Sequence, residues 1–196
     1  MNAPEQEDRF VTSALSKVGV QVNSVYDLVN SQRSYPEAIA TLLHCLTQVS
    51  EPVIQEGVVR ALAVREARGI AENALLAEFE KIRPEEAPNR QLLKWAIANT
   101  LAVVATGKSF DRITNLVRDR RHGSAREMLT VALGNMKLPN VVDVLIDLLS
   151  DDEIAGHALM VLAKLRAHKA RPHIKPLLNH PSPWIRKEVR KALSKL

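Results

Sequence analysis

The chain repeats itself about every 30 residues, and this limits what it can fold into more than any other feature. From Ser182-Pro183 the apolar positions are Ile185, Val189, Ala192, Leu193 and Leu196, with Arg186 four residues after the turn. From Asp151 the same order returns as Ile154, Ala158, Val161, Leu162 and Leu165. From His122 it runs Ala125, Arg126, Leu129, Ala132, Leu133 and Met136, and from Glu51-Pro52 it runs Ile54, Val58, Ala61 and Leu62. Within each copy the apolar residues recur at three and four, which places them on one face of a helix. A unit this short cannot bury that face alone, so the copies must stack.

The punctuation between copies predicts the remaining helices. Glu5 to Lys17 and Ser24 to Asn30 read as two N-terminal helices joined near Gly19. Ser34-Tyr-Pro-Glu37 and Ser124-x-x-Glu127 have capping-box spacing. Ile39, Leu42, Leu43 and Leu46 supply a helical face after the first box. Helices are expected at 70–82, 91–105, 109–120, 124–136, 139–149, 152–165, 168–179 and 182–195, with 83–89 irregular because two prolines interrupt it. No stretch alternates with a strand period. The expected fold is all-α: a right-handed solenoid of about five helix pairs over residues 34–196, behind a helical cap at residues 1–33.

Aromatic residues make up only 4% of the chain, which suits helices packed through aliphatic contacts. The single cysteine, Cys45, excludes an internal disulfide and reads as a small core residue. The acidic, polar start lacks the apolar core of a secretion signal, and no apolar run reaches the roughly 18 residues of a membrane span. A cytoplasmic location is expected. Charge is unevenly placed: residues 101–196 carry 17 basic and 9 acidic side chains, a balance of +8. From Lys164 onward only Glu188 is acidic. Such asymmetry points to an anionic partner.

Pairs of this kind resemble HEAT repeats, particularly their short bacterial form, which also occurs in phycobilisome-lyase-type proteins. The family pattern is an Asp-Pro turn followed by Val-Arg-x-x-Ala-x-x-Ala-Leu-x-x-Leu. Residues 182–196 match most of it, Ser182 replacing Asp and Val189 replacing Ala. At the Arg position the other copies have Gln55, Lys94, Arg126 and Ala155. The resemblance implies that the second helices line a concave surface, with Glu56, Trp95, Glu127, Gly156 and Lys187 in equivalent places. Gly57, Ala96, Met128, His157 and Glu188 would lie one step further round. It therefore implies a non-enzymatic scaffold that takes a protein or peptide on that face, through Glu56, Trp95, Glu127, Met128 and His157. Trp184, in the first turn of the last helix, is expected to cover the preceding pair.

Two other functions fit the resemblance less well. Nucleic acid would engage the basic end, through Arg186, Lys187, Arg190, Lys191 and Lys195. One form of that reading resembles the HEAT-type alkylpurine DNA glycosylases, but aromatics are few and no motif carries over. A chromophore-lyase role has nothing beyond the repeats to support it. Ala102 to Ser109 fits a loose phosphate-loop pattern, yet a helix enters it where a strand is required. Gly107 is expected to end that helix in the left-handed region and Ser109 to cap the next. His168 and His173 are five apart, the wrong spacing for two ligands on one helical face. Neither metal nor cofactor is expected.

Overall fold

The structure, a computed structural model, describes residues 2–29 and 31–196, and among them there is no strand. Asn30, the expected end of the second helix, lies outside the described residues. The chain forms two compact units, Met1–Thr106 and Gly107–Leu196. The first holds α1 (Ala3–Lys17), α2 (Tyr26–Val29), α3 (Ala38–Gln48), α4 (Pro52–Ala61), α5 (Glu72–Lys81) and α6 (Pro88–Val104). The second holds α7 (Phe110–Arg118), α8 (Ala125–Gly134), α9 (Val141–Asp147), α10 (Ala155–Lys164), α11 (Arg171–Ile174) and α12 (Pro183–Leu193). The five expected pairs are α3/α4, α5/α6, α7/α8, α9/α10 and α11/α12. In the first unit α4 packs on α6; in the second, α8 packs on α10 and α10 on α12. The second helices thus form a row within each unit, the arrangement of an α-solenoid.

Most positions the spacing marks are buried, while Leu165, Leu193 and Leu196 at the helix ends stay partly exposed. Ala125, Leu129, Ala132 and Leu133 of α8 are buried, as are Ala158, Val161 and Leu162 of α10 and Ile185, Val189 and Ala192 of α12. Each such Leu, Ile or Val contributes about 1.5–3 kcal/mol on leaving water. Small residues set how closely the row packs. A Cβ added at Gly134 would lie 2.2 Å from Val161 Cγ1, so α8 and α10 meet there with no room for a side chain. Cys45 is buried, and burial pushes its thiol pKa up.

Several expected helix ends differ, some because a partner remote in sequence takes over, others through local backbone geometry or proline. Ser34 does not cap α3: its hydroxyl donates to the Glu66 carboxylate, and α3 begins at Ala38 with no side-chain cap. Ser124 makes no cap bond either. Its backbone is helical (φ −64°, ψ −18°), whereas a capping side chain needs an extended residue. Gly107 is not left-handed; it opens a 3₁₀ turn. What stops α6 is Glu72, whose carboxylate accepts from Thr106 N–H at 2.7 Å and from the Thr106 hydroxyl at 2.9 Å. Ser109 is buried and gives no cap bond. The helix expected over 168–179 breaks into two 3₁₀ turns around α11, because Pro172 and Pro176 each lack an amide proton. Ser182 does cap α12, accepting from Ile185 N–H at 3.5 Å.

Candidate functional site

One position recurs with a structural task in both units. Four residues after the turn start, in every copy except that from Asp151, where Ala155 stands, a side chain leaves the second helix and enters the joint between helices. In the first unit Lys94 is fully buried; its Nζ donates to the Ile82 carbonyl at 2.5 Å and sits 4.9 Å from the centre of the Phe79 ring. Gln55 is buried too, accepting from Arg90 Nη1 at 2.8 Å. In the second unit the Arg126 side chain is 1% exposed. Its Nε donates to the Val117 carbonyl at 2.7 Å, and its Nη2 meets Asp151 Oδ2 at 2.5 Å. Arg186 donates to the carbonyls of His180 and Pro181 at 2.6 and 2.7 Å. Lys94, Arg126 and Arg186 thus each hold a backbone carbonyl at the end of the preceding helix. The chain is a helical repeat protein.

No protein-family model and no curated protein matches this repeat protein. Its structure is similar to that of an engineered protein from a structural genomics programme, at 19% identity and a TM-score of 0.51, over 100% of this chain and 96% of that one. A second engineered protein from the same programme aligns at 14% identity and a TM-score of 0.52, over 94% and 97%. A designed armadillo repeat protein aligns at 14% identity and a TM-score of 0.46, over 95% and 99%. At these identities the likeness shows the fold alone.

The expected partner-binding residues divide between the units. In the first, Glu56 of α4 is held by Arg60 one turn on, with Nε to Oε1 at 2.8 Å, and Trp95 of α6 is half-buried. In the second, Glu127, Met128 and His157 are all partly exposed on α8 and α10. Here α8, α10 and α12 bring side chains together. His157 Nε2 lies 3.9 Å from Glu127 Oε2, and its ring centre lies 5.5 Å from that of Trp184. Trp184 rests on Gly156, where an added Cβ would fall 2.0 Å from Cζ3 of the indole. Trp184 therefore covers the preceding pair, as its place in the first turn predicts, and remains 42% exposed. The first unit repeats the device: Gly57 faces the Tyr26 ring, and the Tyr26 hydroxyl donates to the Val53 carbonyl at 2.7 Å.

His157 Nδ1 is buried without a hydrogen bond. Burial pushes the imidazole pKa down, against the opposing pull of Glu127 and Glu188. The folded state thus favours the neutral ring. His157 contributes stability that is complete above the unfolded pKa of about 6.5 and is lost as pH falls through its lower folded value. Thermal melts of wild type and His157→Gln, compared at about pH 8 and pH 5, should differ in slope, the variant losing less stability on acidification.

The basic end is only partly committed. Beyond the Arg186 bonds, Lys191 donates to Glu188 Oε1 at 2.7 Å, and Lys187, Arg190 and Lys195 are exposed. Among the described residues no three metal-binding side chains cluster. His168 Nδ1 lies 2.7 Å from the Leu196 carbonyl, and His180 Nε2 lies 3.1 Å from Asp152. No described helix is long and apolar enough to cross a membrane. Lys108 lies on a turn between two helices, with no strand leading into it. The sequence did not show the pairing of His157 with Trp184; the signal available was Gly156, a bare backbone position at the right height.

Proposed function

We propose that the chain is a HEAT-type scaffold without catalytic chemistry, which holds a protein or peptide partner on the faces of its second helices. Glu56 and Trp95 serve in the first unit; Glu127, Met128 and His157 serve in the second, joined by Trp184. One observation carries this reading. Glu127, His157 and Trp184 come from three successive second helices onto a single surface, and Trp184 keeps nearly half its area open to solvent. Partly exposed aromatics beside polar groups are the usual anchors of protein recognition. The bond from Arg126 to Asp151, the turn residue of the next copy, supports the HEAT assignment because it joins the two positions of the family pattern.

The test begins by selecting binders from a display library of random peptides against the folded protein. Trp184→Ala should weaken a selected peptide by about 2 kcal/mol or more, with Trp184→Phe retaining most of the affinity. The circular dichroism of both variants should stay helical. Binding unchanged in Trp184→Ala would remove this surface from the account.

A further inference from the structure

The row of second helices in the second unit has a chemical bias that narrows its partner. Met160 lies one helical turn from Gly156, on which Trp184 rests, and is 46% exposed. Val131 of α8, one turn after Glu127, is partly exposed on the neighbouring helix. An open or partly open apolar group thus stands one turn beyond Glu127 on α8 and one turn beyond Gly156 on α10, with Trp184 of α12 over Gly156, and such a strip is a mark of an interaction surface. Met adds adaptability, since its unbranched side chain fits varied shapes.

The charge around the strip is one-sided. On α12, Trp184, Lys187 and Lys191 share a face by helical spacing, and Lys195 follows in the turn after the helix. Lys187 and Lys195 have no carboxylate partner among the described residues, and Lys164 meets only the Asn135 side-chain oxygen, at 2.9 Å. The nearby carboxylates are already engaged: Glu188 is buried and bonded to Lys191, Glu127 sits against His157, and the exposed Glu153 is bonded to Arg126. What remains open to a partner is an apolar strip edged by ammonium groups. Phosphates would satisfy the lysines but leave the Met160 thioether and Val131 in water.

Building on the scaffold reading, we propose that this face takes an acidic amphipathic peptide segment of a partner protein. Its apolar side would lie on Val131, Met160 and Trp184, and its carboxylates would meet Lys164 and Lys187. Electrostatic complementarity of this kind sets partner choice and speeds encounter.

Selection from the random-peptide library tests this through the composition of the peptides recovered. They should carry net negative charge with apolar residues at three- and four-residue spacing. The double variant Lys164→Glu/Lys187→Glu should weaken them by about tenfold or more, and Met160→Gln should weaken them separately. Single-stranded oligothymidine should not displace them at about 0.15 M salt, where phosphate contacts are largely screened. Recovery of basic or uncharged peptides on the same face would overturn this inference and leave the scaffold reading standing. Oligothymidine binding more tightly than any selected peptide would assign the face to nucleic acid instead. If no peptide is enriched, both readings fall.

Discussion

Replacing Arg126 with alanine should destabilise the second unit by about 3–5 kcal/mol, because it strips the buried charge partner from a buried carboxylate and leaves only the exposed Arg120, at 3.3 Å. Asp151 is buried, and its bond to Arg126 joins the turn of one repeat to the second helix of the one before. Burial alone would raise the Asp151 pKa. The Arg126 hydrogen bond and charge, the Glu153 amide and Arg120 outweigh it and hold the carboxyl below its ordinary value. The stability it contributes is therefore present above about pH 4 and lost as pH falls through the lower folded value. Glu153, the other carboxylate on Arg126, is largely exposed, so Glu153→Ala should cost no more than about 1 kcal/mol. Urea denaturation of the three proteins near pH 7 separates these cases. An Arg126→Ala loss as small as that of Glu153→Ala would show the buried pair to be worth little. The double variant Arg126→Ala/Asp151→Ala should recover part of the loss, since it no longer strands a charge.

Lys94 is the second large case. Lys94→Ala should cost about 2–4 kcal/mol, through the cavity left by its stem and the unpaired Ile82 carbonyl. Lys94→Met keeps the stem and removes only the ammonium group, so its loss should be distinctly smaller. Equal losses for the two substitutions would mean that the ammonium group, with its carbonyl and Phe79 contacts, accounts for the whole effect. A negligible loss in both would contradict the burial of the side chain.

These two residues show how far the sequence could be read. The position four residues after each turn is visible in the repeat, so Gln55, Lys94, Arg126, Ala155 and Arg186 align by spacing alone. The burial of Gln55, Lys94 and Arg126 could not be read, because such a polar side chain is buried only where a partner from another helix meets it. The helices themselves were legible because burial repeats at three and four, as in Ala125, Leu129, Ala132 and Leu133. Their ends were less so. Ser34 looks like a cap until Glu66, far along the chain, takes its hydroxyl, and Gly107 looks like a helix stop until Glu72 binds Thr106. Local rules fail at such points because the winning partner is not local. The site shows the same limit: Trp184 and His157 meet only because Gly156 leaves space beneath the indole.

The central claim is that the second helices carry the binding face, and the methionines report on it. The chain has four: Met1, Met128, Met136 and Met160. Met128 of α8 is partly exposed and Met160 of α10 is open on the proposed face, whereas Met136 is buried. With ε-¹³C-methionine protein, titration of a selected peptide should shift the Met128 and Met160 methyl signals and leave that of Met136 in place. Saturable binding that moves neither Met128 nor Met160 would contradict the claim.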